Sequence, residues 1–483
     1  MATLRQTILS AIALTTLTAT AETVTLNGTD YDINTIESRT LSPGVEYRRL
    51  RLPDYPLNAH LITVDMTNPA CEIETWVANN SAKSVEHITS AAQRLSSPGH
   101  TAVAGANANF WIVASQKEYP VYSMMTRGAS LCNGMPVSQF ENWDGGPRRC
   151  GIVAVTDDRR VFVDYCTKGD TVSWGSGTRM IINMVNKGVK ASGNGELCMY
   201  NRFYGSDRRF LYVAEGKDSS GTTKIMEEDA ADATEVLLDA EPDQEYKSNH
   251  DIVYVVKSVK SNAPAGTLGD HDLALVARGG KTAKLAKLKV GTRVKLNCKF
   301  TIDPDGARLT QSVVQAVSGN AIVMRNGILT EHNSNEDYNS MVYSRTGYGC
   351  SADNRTLYII VIDKSTDPDY GRSAGCNTAT MCQLAAHYGC SNLANFDAGG
   401  SAQMMVEGRV ANKTTESSPR KLANGLMIFS TAAAGTGTTI APDSGSDAEE
   451  WYTLDGIRLD ARPAEKGIYL LRQGSRTQKI AVK

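Results

Sequence analysis

The sequence predicts an α+β fold: a strand-rich mixed-sheet domain with few helices, followed by a small C-terminal β module. Three observations carry this. Short β-branched runs interrupted by Pro, Asn or Gly recur along the chain. Apolar residues at helical spacing mark only a few stretches, chiefly Val85 to Leu95 and Met381 to Tyr388. A small, polar, low-complexity run from Thr431 then sets a compact tail apart.

A chain of 483 residues exceeds what one ordinary core holds, so length predicts one large domain with attachments, or two to three units. The expected divisions are residues 1–21, a main domain over 22–430, a linker over 431–450 and a tail over 451–483. Within the main domain, 22–100 forms an N-terminal part, 101–345 a strand-rich middle and 346–430 the part bearing the motifs.

The amino terminus has Arg5, an apolar run from Ile8 to Leu17, and Ala19-Thr20-Ala21 in the pattern of a cleavage site. Met1 to Ala21 therefore reads as a signal peptide, which predicts a periplasmic, outer-surface or secreted location. The competing reading, a short hydrophobic helix of the mature fold, ranks below it, and the run is too brief to span a bilayer. No other stretch is long and apolar enough to form a transmembrane segment.

Val45 to Leu52, Ala59 to Met66 and Cys71 to Val77 read as strands. Ser84 to Leu95 reads as a helix, with Val85, Ile88, Ala92 and Leu95 on one face and Pro98-Gly99 beyond its end. Thr101 to Trp111 is a strand entering a loop rich in Asn and Ala. From Gly151 to Thr301 the pattern is short strands and turns, with a hairpin at Asp157-Asp158 and an alternating strand from Val290. The acidic stretch Lys217 to Asp232 reads as a surface excursion. Val313 to Thr330 gives two strands broken at Ser318-Gly319-Asn320 and closed by an Asn326-Gly327 turn. Thr356 to Asp363 is a buried strand, and the helix of Met381, Leu384, Ala385 and Tyr388 ends at Gly389. The tail predicts about three strands with turns at Asp455-Gly456 and Gln473-Gly474. Its Tyr452 to Gly456 and Lys466 to Tyr469 segments resemble the short C-terminal modules of exported Bacteroidetes proteins, which implies an export or attachment signal.

Lys and Arg number 50 against 52 for Asp and Glu, a formal net charge of -2. That balance removes the electrostatic argument for a nucleic-acid partner or an anionic membrane. Ten cysteines, at 71, 132, 150, 166, 198, 298, 350, 376, 382 and 390, fit either disulfides in an exported protein or buried free thiols. No CxxC occurs and no two histidines stand four apart, so the obvious zinc patterns are absent.

Gly371-Arg372-Ser373-Ala374-Gly375 matches the serine-hydrolase elbow, but no histidine follows Asp397 to complete a triad in the order that fold requires. What remains is a small-residue loop feeding a helix start, with backbone N–H groups available to an anion. Asp363 and Asp397 each follow a predicted strand. If those strands are parallel neighbours, both acids emerge at one edge; strand-end Asp residues also form ordinary turns. Asn107 and Asn109 are placed to bind sugar hydroxyls or loop backbone. Asp303-Pro304-Asp305-Gly306 begins like a calcium loop but lacks its later ligands, which favours a hairpin turn.

Phe396-Asp397-Ala398-Gly399-Gly400-Ser401, then Val410-Ala411-Asn412, resembles the central motif of the phosphodiester glycosidase family. Pro419 to Asn424, Arg345 to Gly349, Ile362-Asp363 with Ser373 to Gly375, Asn107 to Trp111 and Ile182-Asn183 resemble its other motifs, and the likeness runs from about Pro43 to Phe429. Ala398 and Ala108 replace glycines, and Lys364-Ser365 stands in place of Gly-Arg after the acid, with Arg372 nearby. The resemblance implies hydrolysis between a sugar anomeric carbon and a phosphodiester, as in N-acetylglucosamine-1-phosphate esters of glycans. It implies Asp397 as the catalytic carboxylate with Asp363 second. Arg345 and Arg420, with the groups of Ser373, Gly375, Gly399, Gly400 and Ser401, would hold phosphate, and Asn107, Asn109 and Asn412 sugar. No cofactor is required by that chemistry, and a divalent cation such as Ca²⁺ is compatible with it. The alternative is a non-catalytic glycan-binding surface protein on the same fold.

Overall fold

The computed structural model describes residues 22–113, 120–122, 124–138, 150–302, 311–368 and 370–432, with the strand segments of 449–482. Met1 to Ala21, the Asp303 to Gly306 turn and residues 433–448 of the linker lie outside the described residues.

The elements that build the site are β1 (Val45–Leu52), β2 (Leu57–Asp65), β3 (Cys71–Val77), α1 (Ile88–Leu95), β4 (Thr101–Asn107), β5 (Ala321–Arg325), β6 (Arg345–Cys350), β7 (Thr356–Ile362), α2 (Thr378–His387), β8 (Asn392–Asn395), β9 (Met404–Val406) and β10 (Asn424–Ser430). A nine-stranded sheet runs Glu22–Leu26, Thr29–Ser42, β1, β2, β7, β6, β8, β5, Ile328–Leu329, with every neighbour antiparallel. A five-stranded antiparallel sheet runs Arg409–Val410, β9, β4, β10, β3. Facing side chains such as Tyr47, Ile62, Ala104, Ala106, Ile359, Phe396, Met404 and Leu426 form one core. Tyr348 on β6 is wholly buried there and donates its hydroxyl proton to the Ala106 carbonyl at 2.9 Å, a polar link from the first sheet to the second.

The nine-stranded sheet also contributes to a second core, where α2 presents Met381, Leu384 and Ala385 to residues including Ile360 and Leu393. Asn377 caps α2 by accepting the Thr380 N–H at 2.9 Å, and Gly389 turns the chain out of the helix at φ +95°. The expected strands over Cys71 to Val77 and Thr356 to Ile362 form as read. Helix α1 starts at Ile88, later than Ser84, because Glu86 exchanges both backbone hydrogen bonds with Leu422 and holds that segment extended.

The middle of the chain supplies an eight-stranded sheet, with Asp251–Ala263, Ala233–Ala240 and Leu273–Arg278 near its centre over a core of Leu, Val and Ile. The Lys217 to Asp232 stretch is more ordered than an excursion. Tyr212–Lys217 pairs with Thr223–Glu227, and the Asp218 carboxylate closes the turn by accepting the N–H groups of Ser220 and Thr222.

Contacts divide the chain after Ala432. The second unit is a four-stranded antiparallel sheet in the order Arg458–Leu459, Glu449–Tyr452, Gly467–Gln473, Arg476–Val482, one strand more than expected. The turns expected at Asp455-Gly456 and Gln473-Gly474 lie wholly or partly outside the described residues. Among the described residues, no helix is long and apolar enough to cross a membrane.

Candidate active site

Strand β6 runs antiparallel to both β7 and β8, so those two strands are parallel to each other with β6 between them. Asp363 and Asp397 thus leave the same edge of the sheet, though not from neighbouring strands. Two strand spacings separate them, on the order of 10 Å. Arg345, the first residue of β6, starts from that edge between the two acids.

Asp397 lies where the chain passes from β8 toward β9 in the other sheet. Its N–H donates to the Ala108 carbonyl at 3.1 Å, and its own carbonyl accepts Asn107 Nδ2 at 2.7 Å. The residue as a whole is partly exposed, yet neighbouring atoms crowd the carboxyl. Burial pushes its pKa up to about 7, against the opposing pull of the Ser401 hydroxyl, the Arg420 charge and the Ala398 N–H.

The glycines behind this acid do two different things. Gly399 sits at φ +66°, in the left-handed region, with nothing within 4 Å of where a Cβ would stand. Its N–H donates to the Ser344 carbonyl at 3.1 Å and its carbonyl accepts the Ser344 hydroxyl at 2.7 Å. At Gly400 a Cβ would meet Arg420 Cζ at 2.6 Å and Glu416 Oε1 at 2.7 Å, so its bare backbone makes room for an ion pair. Arg420 Nε donates to Glu416 Oε2 at 3.0 Å, Nη2 donates to Oε1, and Nη1 lies 3.5 Å from Ser401 Oγ. This pairing raises the pKa of Arg420 and lowers that of Glu416.

Arg345 has no exposed surface. Nε donates to the Cys376 carbonyl at 3.0 Å, and Nη2 to the carbonyls of Tyr338, Asn339 and Met341. Its guanidinium carbon lies 5.3 and 5.2 Å from the ring centres of Tyr338 and Tyr343. Nη1 has no hydrogen-bond partner among the described residues, and burial lowers the guanidinium's affinity for its proton. The Tyr338 hydroxyl accepts the Ala398 N–H at 2.9 Å, so one tyrosine touches both the arginine and the Asp397 turn. Burial first, and then the Asp397 charge, raise its pKa.

Asp363 is fully buried. Its Oδ1 accepts the Lys413 N–H at 3.2 Å, and Oδ2 lies 3.5 Å from His60 Nε2. His60, also buried, is hydrogen-bonded to Tyr47 at Nδ1 and to Tyr370 at Nε2, each at 2.8 Å. Ser373 donates to the Asp363 carbonyl at 2.7 Å and accepts the Asn58 N–H at 3.0 Å, which makes it a brace of this loop. Gly375 turns at φ +76°, with the Tyr343 carbonyl 2.6 Å from where a Cβ would stand. The N–H groups of Ala374 and Cys376 beside it are spent on the carbonyls of Pro56 and Tyr343.

The three asparagines expected to face a sugar are turned inward. Asn107 donates to the Asp397 carbonyl and accepts from Thr346 Oγ1 at 2.8 Å and Gln403 N–H at 3.0 Å. Asn109 donates to the Arg127 carbonyl at 2.7 Å and to Ser318 Oγ at 2.8 Å, and accepts the Ser318 N–H at 3.0 Å. Asn412 accepts the Met404 N–H at 2.7 Å and donates to the Ala402 carbonyl at 3.0 Å. Each amide is committed to protein groups, the backbone alternative weighed for Asn107 and Asn109.

The site therefore unites Asp397, Gly399, Gly400, Ser401 and Arg420. Arg345 stands close behind, and Asp363 with Ser373 belongs to the buried His60 cluster. Tyr338, Ser344 and Glu416 were not singled out in the sequence; Tyr338 and Glu416 stand in polar stretches with no motif to mark them, and Ser344 lies just before the Arg345 motif.

Among the described residues, Glu72, Glu74 and His100 bring ligand atoms within 4.8 Å of one another. They belong to the opposite end of β3 and β4 from Asn107, about 20 Å along the strand. Among the described residues, the cysteines at 71, 132, 198, 350, 376, 382 and 390 are free and buried, so burial rather than pairing accounts for these seven.

An acid and a guanidinium thus share one glycine turn, at the edge where two antiparallel sheets meet. The phosphodiester glycosidase family supplies the particular match: its sequence model aligns with residues 246–429. A hypothetical protein from Synechocystis has a similar structure at TM-score 0.53 and 15% identity, covering 80% of this chain and 62% of that one. This chain thus spans less than two thirds of that relative's length. A Burkholderia pseudomallei protein described as a candidate exported protein matches at TM-score 0.53 and 16% identity, over 79% and 74% of the two chains. These two likenesses show a shared fold. The catalytic domain of zebrafish N-acetylglucosamine-1-phosphodiester alpha-N-acetylglucosaminidase aligns at TM-score 0.36 and 11% identity, over 85% and 86%. No curated protein matches the chain.

Proposed function

We propose that this chain is an exported hydrolase cleaving the bond between a sugar anomeric carbon and a phosphodiester, with N-acetylglucosamine-1-phosphate esters of glycans as leading substrates. The observation that carries the reading is Asp397 beside Arg420 at the Gly399-Gly400-Ser401 turn, inside the region matched by the family. A phosphate ester leaves readily, so strong general-acid assistance matters less than in ordinary glycosidases. Asp397 serves as nucleophile or as base for water; a pKa near the working pH suits the second task. Arg420 neutralises the departing phosphate, and Arg345 adds a second fixed positive charge with one unspent donor atom. Asp363 positions the loop through Lys413 and Ser373. No cofactor enters this scheme.

The test is reducing-sugar release from α-GlcNAc-1-phospho-6-mannose methyl glycoside and from UDP-GlcNAc, by wild type and Asp397→Asn, with and without chelator. Release by wild type alone supports the proposal, and the chelator arm reports on a divalent cation such as Ca²⁺. Saturable binding without release supports the glycan-binding alternative, a reading favoured by the engagement of Arg420 with Glu416.

A further inference from the structure

We infer that Glu416 is an internal occupant of the phosphate position: its carboxylate holds the Arg420 fork in place of the substrate's phosphoryl oxygens and must be displaced when substrate binds. This rests on the proposed function in taking phosphate as the ligand of Arg420. A guanidinium offers parallel N–H groups to two oxygens of a carboxylate or a phosphate with the same geometry. Here Nε and Nη2 both point to Glu416, through Oε2 and Oε1. The pair lies directly over Gly400, whose missing side chain is what admits it. The remaining Arg420 nitrogen faces Ser401, itself bonded to the Asp397 carboxyl. Glu416 thus holds the same guanidinium that acts on Asp397 and that the proposed leaving group requires.

The surroundings let it leave. Lys413 to Ser418 is mostly exposed, and Glu416 shows 41% of its side chain to solvent. Thr415 ties the segment down through Ser344 Oγ at 2.9 Å, and Ser344 in turn holds Gly399. The loop stays anchored beside the site while the Glu416 side chain is free to swing outward. A phosphodiester carries one negative charge, as the Glu416 carboxylate does, so it wins the exchange only through the added contacts of the rest of the substrate, whereas a neutral sugar gains nothing from Arg420. Glu416 is in this sense a specificity-determining residue, which raises the threshold an anion must pass.

The experiment is calorimetric titration of the full chain with inorganic phosphate, for wild type, Glu416→Gln and Arg420→Gln, beside hydrolysis of α-GlcNAc-1-phospho-6-mannose methyl glycoside. Glu416→Gln is expected to bind phosphate roughly threefold to fivefold tighter, the size of a removed exposed ion pair, with KM falling by a similar factor. Arg420→Gln is expected to lose phosphate binding. Unchanged, weaker or undetectable phosphate binding by Glu416→Gln overturns the inference. Tighter phosphate binding with no hydrolysis by wild type leaves the inference standing and removes the proposed reaction; hydrolysis by wild type with unchanged phosphate binding in Glu416→Gln does the reverse.

Discussion

Asp363 and His60 face each other 3.5 Å apart with neither side chain reaching solvent, whereas Asp397 is only partly buried. The two carboxylates the sequence brought to attention therefore separate into a buried brace and the candidate reacting group of the proposed function. Asp397→Asn is expected to reduce hydrolysis at least about a thousandfold, the usual scale for losing a catalytic group. Asp363→Asn is expected to lower the melting temperature while retaining measurable turnover; steady-state kinetics beside thermal melts separates the two.

His60→Ala removes the partner of a buried acid and of two tyrosine hydroxyls, and is expected to destabilise the fold by about 3 kcal/mol. Urea unfolding measures it. Tyr370→Phe removes one hydroxyl from the same cluster and is expected to cost roughly 1 kcal/mol.

The raised pKa of Asp397 gives two linked pH effects. As nucleophile or base it acts when deprotonated, so activity is expected to rise as pH climbs through about 7. The folded state holds this proton more tightly than the unfolded chain, whose value lies near 3.8. The group's contribution to stability is therefore fully present below the unfolded value and is lost as pH rises through about 7. Asp397→Asn should melt above wild type at pH 8, by about 2 °C, and show no such advantage at pH 4.

Asn107 separates positioning from sugar recognition. Its amide holds the Asp397 carbonyl, Thr346 and Gln403, so Asn107→Ala leaves buried partners unmet, at about 1–3 kcal/mol each before relaxation. The expected kinetic signature is a fall in kcat with KM nearly unchanged. A selective rise in KM for the sugar portion would return Asn107 to direct sugar contact.

Burial pushes the free thiols of Cys132, Cys198 and Cys376 up to about 12. Alkylation followed by peptide mass mapping is expected to label these three only after denaturation.

Much of this site could be read from residue order because its chemistry is local. An acid followed by Gly399-Gly400-Ser401 announces a turn carrying a functional group, and the structure gives each glycine a separate task. Strand Thr356–Ile362 and helix Thr378–His387 were legible for a similar reason, since β-branched runs and helical spacing act through near neighbours. The late start of α1 was not legible, because its cause is a backbone partner at Leu422. Nor was the hairpin near Asp218, whose second strand, Thr223–Glu227, is mostly exposed and polar. The asparagines show a different limit: an amide that grips backbone is the same letter as one that grips a ligand. Tyr338 and Glu416 owe their importance to what lies across from them, which spacing along the chain does not encode.

Strand β4 lies between β9 and β10, and Asn107 at its end pairs with Gly425. The two partners are about three hundred residues apart in the chain. Contacts of such long range are costly to form and slow to find, so refolding is expected to be slow for the protein's size. During synthesis, every motif up to Ser401 can emerge before the strand that completes its sheet exists. The candidate site is therefore assembled late in the life of the nascent chain, only when β10 arrives to lie beside a strand made long before.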